Sequence, residues 1–382
     1  MRVGIITSSY PAGPSDSSNS GVFVRDFAWK LADAGLGVVV VTPQRAVPSP
    51  GQPFSLVSFP WPGTETSLSH VDPRSPLNLA RLGVLLASGA WSSIRVFRRE
   101  GVDHIVAMFA VPSGILALAA RGALGTPYSV WALGPDIWQI RNYPMGEVIL
   151  RRVLRSAAHL YADGLGLAEE VERIARRSCQ FLASLREMPE ASEIEPARLP
   201  PHLTHVLCVS RFHPDKGVDV LIDAVKLIPE RIRRSMKFHI FGGGPDEDLL
   251  ARKLADDELR GCVTLGGYIS RDDLMSYLRA ARCLVIPSRV ESIPLVLSDA
   301  AQARCPVVAT QVGDMGGLVQ DYGLGLGVPP ESPQALADAI VRFHEGSAPF
   351  DPEGARRLVA DLSLDQSVRH FLNDVQGKAP SR

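Results

Sequence analysis

Two basic and two acidic residues stand at spacings that could do chemistry. Arg211 and Lys216 lie five positions apart in Ser210-Arg211-Phe212-His213-Pro214-Asp215-Lys216-Gly217, between a strand pattern at 205–209 and a helix pattern at 218–227. A lysine at a helix start opposes the helix dipole, so an anion held there explains it more easily than a solvated basic turn does. Glu291 and Asp299 lie eight positions apart in the stretch 283–312. That stretch reads as a strand (283–286), a turn opening on Pro287-Ser288, a helix and a second strand (306–310). Pro294 takes the first helical position, where its missing N–H costs nothing, and Pro306 enforces the stop. Glu291 then faces the mouth of the strand ends, and Asp299 sits about a turn inside the helix. Between them the helix N-terminus offers N–H groups suited to a phosphate. Taken alone, the two acids read equally well as a surface loop and a solvated helical aspartate.

Such groups need a scaffold, and the chain is long enough for two domains. Its 382 residues exceed one ordinary domain. With 46% apolar and 21% charged residues it has the composition of a soluble globular enzyme. A net charge of −1 argues against a dedicated nucleic-acid binder. The charge is unevenly spread: residues 1–186 carry 18 Lys/Arg against 13 Asp/Glu, a net +5, and the remainder 22 against 28, a net −6. The five cysteines show no paired ligand spacing, and Cys208 and Cys283 fall in apolar strand patterns, which suggests buried free thiols in a reducing cytosol. The N-terminus reads as a first strand and not a signal peptide, and no stretch approaches a membrane span.

Along the chain, strand 3–7 opens into a polar loop over 8–21, followed by helix 22–34 and strand 38–41. That βαβ start lacks the G-x-G-x-x-G spacing, which weakens a nicotinamide-cofactor reading. A strand at 55–59 precedes a long helix at about 76–99. In that helix Leu77, Leu82, Leu85, Leu86, Ile94 and Phe97 are apolar, Arg81, Arg95, Arg98 and Arg99 are basic, and Arg74 stands just ahead. A packed helix with a solvated basic face is expected; an interfacial helix on anionic lipid would look similar. Strands at 103–108 and 128–132, with a helix starting at 112–114 between them, lead to Leu133-Gly134-Pro135-Asp136. Asp136 reads equally as a ligand for a hydroxyl and as a helix cap. Helices at 146–157 and 167–175 bracket a strand at 159–162. The proline-rich stretch 188–201 reads as the linker between domains. Beyond it strands at 205–209, 237–241 and 263–265 alternate with helices, and helices at 333–344 and 364–375 close the chain. The two halves share one strand–helix rhythm, as two doubly wound domains require.

Glu291, seven intervening residues, an acid, Ala300-Ala301 and Pro306-Val307-Val308-Ala309-Thr310 together resemble the signature of the retaining family-4 nucleotide-sugar glycosyltransferases. So does the segment Ser210–Gly217. The resemblance implies an α/β fold of GT-B type, with two Rossmann-like, doubly wound parallel-sheet domains facing each other across a cleft. It implies an acceptor-side domain at 1–187, a donor domain at 202–355 and a C-terminal helix at 356–382 crossing back to the first domain. Arg211 and Lys216 would neutralise the donor diphosphate, Glu291 would hold sugar hydroxyls, and Asp299, in place of the usual glutamate, would hold the ribose. Gly21, Gly243, Tyr268, Ile293 and Leu295 are expected on the substrate side, as are Gly134 and Asp136. Leu133 replaces the histidine that many members place before that glycine.

The expected activity is transfer of a sugar from a nucleoside-diphosphate sugar to a hydroxyl acceptor, in polysaccharide, glycan or glycolipid biosynthesis. The acceptor would be a glycan, a lipid-linked molecule or a small molecule. No Ser/His/Asp or Cys/His set is present, and no cofactor or metal is expected, because two fixed cations can stabilise the departing diphosphate. The positive first domain suggests an anionic acceptor or peripheral contact with the inner face of the membrane by a cytoplasmic protein. A non-catalytic nucleotide-sugar-binding protein, for which Leu133 is the motive, and a nucleotide-sugar epimerase on the same architecture are the alternatives.

Overall fold

The computed structural model describes residues 1–11, 21–43, 51–62, 75–255, 259 and 261–377. Arg74 and residues 12–20 of the first polar loop lie outside the described residues. The chain divides into two compact units, 1–184 with 363–382, and 185–362.

The first unit is built on β1 (Arg2–Ile6), β2 (Gly37–Pro43), β3 (Ser55–Phe59), β4 (His104–Met108), β5 (Tyr128–Ala132), β6 (Leu160–Ala162) and β7 (Gln180–Phe181). They form one parallel sheet in the order β3-β2-β1-β4-β5-β6-β7. The inner strands β4 and β5 are buried along their whole length, which is what a parallel sheet covered on both faces demands of its sequence. Its helices are α1 (Val22–Asp33), α2 (Pro76–Glu100), α3 (Ser113–Leu124), α4 (Pro135–Trp138), α5 (Gly146–Ser156) and α6 (Leu165–Ala175). Helix α2 buries Leu85, Val96 and Phe97 and half-buries Leu82, Leu86 and Ile94. Leu77, Leu79, Val84 and Trp91 stay exposed beside the exposed Arg95, Arg98 and Arg99, and the Arg95 guanidinium lies 5.1 Å from the Trp91 ring.

The second unit carries β8 (Thr204–Val209), β9 (Met236–Phe241), β10 (Val263–Leu265), β11 (Cys283–Ile286), β12 (Val307–Thr310) and β13 (Gly325–Val328), parallel throughout in the order β10-β9-β8-β11-β12-β13. Its helices are α7 (Val218–Leu227), α8 (Glu230–Arg233), α9 (Glu247–Leu254), α10 (Arg271–Ala280), α11 (Leu295–Ala303), α12 (Met315–Asp321), α13 (Pro333–His344) and α14 (Pro352–Asp361). The proline-rich stretch 188–201 belongs to this unit and is tied along α10: Ala197 N–H donates to the Ser276 carbonyl at 2.9 Å, and Ser276 Oγ donates to the Glu195 carbonyl at 2.7 Å.

The last helix, α15 (Leu364–Val375), is part of the first unit. Phe371 is fully buried against Phe27, His104 and Tyr161, Ser367 Oγ donates to the Ala183 carbonyl, and Tyr161 donates to Asp374 at 2.8 Å. All five cysteines are buried free thiols; burial pushes those of Cys208 and Cys283 up to about 12, so neither is a thiolate at neutral pH.

Candidate active site

In each sheet the strand order reverses once, between β1 and β4 and between β8 and β11. Ligands of such sheets bind beyond the carboxyl ends of the strands at that reversal. In the second unit the two loops that leave it are 210–217, after β8, and 287–294, after β11. They carry Arg211, Lys216 and Glu291.

Several constraints hold these loops together. Gly217 adopts φ 63°, and a Cβ there would lie 2.0 Å from the Pro287 carbonyl oxygen, so only glycine permits the approach. Gly313 plays the same part on the other side, where a Cβ would come within 2.2 Å of the Glu291 carbonyl. Arg289 N–H donates to the Asp215 carbonyl at 2.7 Å. The Arg289 guanidinium grips both carboxylate oxygens of Asp219 at 2.8 Å, reaches the Pro214 carbonyl at 2.5 Å and pairs with Glu331. Partial burial pushes the Asp219 carboxyl up, but the hydrogen bonds and charge of Arg289 outweigh it and hold the group below the usual carboxylate range. Thr310 Oγ, at the end of β12, donates to the Ser288 carbonyl at 2.6 Å.

That frame delivers Lys216 and Glu291 to each other. Lys216 Nζ donates to Glu291 Oε1 at 2.5 Å, and Ser288 Oγ donates to the same oxygen at 3.1 Å. The two side chains are 18% and 13% exposed, enough for a ligand to reach them and too little for water to screen them fully. Arg211 is exposed, and its side chain bonds nothing among the described residues. Beside them α11 starts at Leu295, one residue later than a proline-first helix would, because Pro294 is its cap and supplies no side-chain bond. Leu295 is half-buried and Ile293 is buried, 8% exposed. The neighbouring Ser292 Oγ is buried without a hydrogen-bond partner among the described residues. Gly243 and Tyr268 are also brought together: a Cβ on Gly243 would meet the Tyr268 ring at 3.0 Å, and that ring is half-exposed.

Asp299 is not where the ribose reading needs it. Its side chain is fully buried, and both carboxylate oxygens are taken by the Arg186 guanidinium, Nε to Oδ1 at 3.0 Å and Nη2 to Oδ2.

Asp136, in the first unit, also turns inward. Its carboxylate is 5% exposed and accepts from Ala110 N–H at 2.5 Å and Leu133 N–H at 3.0 Å, which ties the loop after β4 to the loop after β5. Burial pushes this carboxyl up to about 6, against the opposing pull of those two amides. Asp136 is therefore not the cap: Gly134 holds that position, with no side-chain cap bond, and Asp136 lies inside the first turn, where its carboxylate braces two loops. Leu133 packs on the apolar cluster around Phe27 and Trp131. Gly134, at φ 97°, lets the Trp138 ring close over the turn. Gly21, at φ 71°, caps α1 and lies so close to the Ser9 backbone that a Cβ would sit 2.4 Å from the Ser9 carbonyl oxygen.

Among the described residues no cluster of His, Cys, Asp or Glu could hold a metal ion, and no helix is long and apolar enough to cross a membrane. Sequence reading missed Arg289, Arg186 and Ser288. Arg289 and Ser288 lie inside the motif, but the chief partner of Arg289 is 70 positions earlier, and no local pattern marks it.

Two Rossmann-like parallel sheets in one chain, with cations and a carboxylate at the reversal of the second, define the GT-B class. The comparisons agree. A model of the group 1 glycosyl transferases matches residues 192–357, and one of the glycosyl transferase 4-like domain matches residues 20–180. Over 168 residues the chain is 32% identical to the alpha-D-kanosaminyltransferase of Streptomyces kanamyceticus, spanning 44% of this chain and 42% of that one, less than half of the relative's length. It is 25% identical over 360 residues to the D-inositol 3-phosphate glycosyltransferase of Pseudarthrobacter chlorophenolicus, spanning 88% of this chain and 84% of the relative. Among solved structures, Anabaena HepE in complex with UDP and glucose superposes with a TM-score of 0.72 at 15% identity, covering 99% of this chain and all of the other. The chain is a glycosyltransferase of the GT-B type.

Proposed function

We propose that the protein transfers a sugar from a nucleoside-diphosphate sugar to a hydroxyl acceptor with retention of anomeric configuration, in glycan or glycolipid biosynthesis. The observation that carries this reading is the half-buried Lys216–Glu291 pair at the strand reversal of the second sheet. Without ligand the two charges neutralise each other. A donor separates them: its diphosphate takes Lys216 and a sugar hydroxyl takes Glu291, so the whole molecule is recognised better than either half. Arg211 adds a second cation. Ser292 and the opening amides of α11 add neutral donors, the arrangement that suits a phosphate.

The bond from C1 of the sugar to the phosphate oxygen breaks, and the acceptor oxygen bonds C1 on the same face. The acceptor's proton passes to the departing phosphate oxygen. Negative charge grows on the diphosphate as the bond breaks, and fixed cations stabilise that state more than the ground state. Lys216 and Arg211 thus supply the positive charge that a metal ion would otherwise bring. The excess of basic residues in the first half of the chain, with Arg95, Arg98 and Arg99 exposed on α2, supports an anionic or lipid-linked acceptor. A curated relative named for D-inositol 3-phosphate points to the same charge.

The test is a thermal-shift panel of nucleoside-diphosphate sugars followed by assay of the best binder with anionic and neutral acceptors. One donor should raise Tm, and the product should keep the donor's anomeric configuration by NMR. Inverted product would refute retention. Binding without transfer or hydrolysis across acceptors would make the chain a donor-binding protein.

A further inference from the structure

We infer that Asp299 is a positioning residue that never touches the donor, and that with Arg186 it clamps the stretch where the chain enters the second unit onto helix α11. The second unit begins at Leu185. One residue later Arg186, 5% exposed, spends its guanidinium on Asp299, which is fully buried in the second turn of α11. The same helix face makes the neighbouring bonds. Gln302 Nε2 donates to the Arg186 carbonyl at 3.1 Å and to Ser298 Oγ at 3.0 Å, and its Oε1 accepts from Met188 N–H at 3.0 Å. Positions 299 and 302 thus grip residues 186 and 188, by both side chain and backbone, and Ser298 holds Gln302 in place. A ribose hydroxyl could reach Asp299 only by displacing a guanidinium from a carboxylate that has no exposed surface. Separating a buried, bidentate ion pair in this way is costly. What Asp299 controls is the angle at which α11, and with it the amides beside Glu291, is presented.

This inference rests on the donor being a nucleoside diphosphate, and it makes a statement about sugar recognition that a merely local structural role would not. Any preference for ribose over 2′-deoxyribose is set by other groups. A hydrogen bond from a hydroxyl to a carboxylate is worth roughly tenfold to a hundredfold in affinity, so its presence or absence is easily read.

The experiment compares the full-length wild type, Asp299→Asn, Arg186→Met and the apolar double variant Arg186→Met/Asp299→Leu. Calorimetric Kd values are taken for UDP, GDP and ADP and their 2′-deoxy forms, with Tm measured alongside. The ratio of deoxy to ribo Kd for the tightest-bound base should stay within about twofold between wild type and the double variant. Asp299→Asn, which strands the buried guanidinium, should lower Tm, and the double variant should recover much of that loss. A ribo preference of about tenfold or more in the wild type that collapses toward unity in the double variant would overturn the inference. If none of the nucleotides binds the wild type, the donor reading has failed. The Tm cycle then still decides: non-additive recovery upholds the clamp, and additive losses in the two single variants and the double overturn it.

Discussion

The two sheets share a strand order around their reversals, yet the loops at and beside those reversals are of opposite character. In the second unit they present Arg211, Lys216 and Glu291 within a frame of Arg289, Gly217 and Gly313. In the first, among the described residues, Gly21 backs onto Ser9 after β1, and one strand beyond the reversal, after β5, the Asp136 carboxylate accepts from two amides and Leu133 joins the apolar cluster. The same topology therefore carries a charged, reachable cluster in the second unit and, among the described residues of the first, a carboxylate turned inward. Topology decides where a site can be, and side-chain length and charge at a few loop positions decide whether one is there. The comparison also separates two kinds of carboxylate. Glu291 is neutralised by one lysine that a ligand can displace, whereas Asp299 and Asp136 are satisfied by partners that nothing outside can reach.

If that contrast is right, substitutions in the second unit's loops act on turnover, and the largest effects come from the cations. Lys216→Ala or Arg211→Ala should cut kcat by roughly tenfold to a thousandfold, the scale of losing one donor to a developing oxyanion. Near-wild-type kcat in both would break the comparison at its centre. Glu291→Ala should abolish sugar transfer by a different route, through loss of the acceptor for the sugar's hydroxyl. With its competitor gone, Lys216 is left to the diphosphate, so the free nucleoside diphosphate should bind the variant at least as tightly as the wild type. A calorimetric titration showing weaker nucleotide binding would contradict the arrangement.

The frame can be tested separately from the charges. Gly217→Ala places a methyl group 2.0 Å from the Pro287 carbonyl and forces a positive φ on alanine. Gly125, also at positive φ with nothing within 4 Å of a would-be Cβ, isolates the second effect alone. Chemical denaturation should show about 1–2 kcal/mol lost in Gly125→Ala and more, roughly 2–4 kcal/mol, in Gly217→Ala, where a backbone oxygen must move. Only Gly217→Ala should also weaken donor binding, because its loop carries Lys216. Equal losses in the two variants would mean that the two loops can part without cost at Gly217.

How much of the molecule is legible in its sequence depends on the range of the forces involved. The apolar runs at 38–41, 104–108 and 283–286 announce buried parallel strands, because a strand covered on both faces has no polar side to hide. The charge pattern Arg211, Lys216 and Glu291 is legible because each residue sits next to a strand end that the same pattern locates. Strands β7 and β13 escape a sequence reading. One is two residues long, and the other is glycine-rich, with Gly325 held under the Val307 carbonyl by a contact no local pattern encodes. Asp299 misleads for the same reason. Its spacing from Glu291 is visible, but the partner that claims it stands 113 positions earlier. Pairings across such distances are products of the fold, and only the local half of each is written at its own position.

The smallest expected effect lies in the inward-turned carboxylate of the first unit and depends on pH. The Asp136 carboxyl is raised from its ordinary 3.8 to about 6, chiefly by burial. An acid whose folded value is raised contributes stability that is fully present below 3.8 and lost as pH climbs through about 6, with no further change above. The shift corresponds to about 3 kcal/mol between those limits. Asparagine cannot ionise, so Asp136→Asn removes this dependence, at the cost of one amide left without its acceptor. His104 and His239, both lowered to about 4 by burial, work in the opposite sense, gaining stability as pH rises from about 4 to 6.5. Their effect is common to wild type and variant and cancels in the difference. The Tm of the wild type minus that of Asp136→Asn should therefore fall steadily between pH 4 and pH 6.5 and level off beyond. An offset that stays constant across that range would mean Asp136 is solvated when folded, and the contrast between an inward-turned carboxylate and a reachable cluster would lose its support in the first unit.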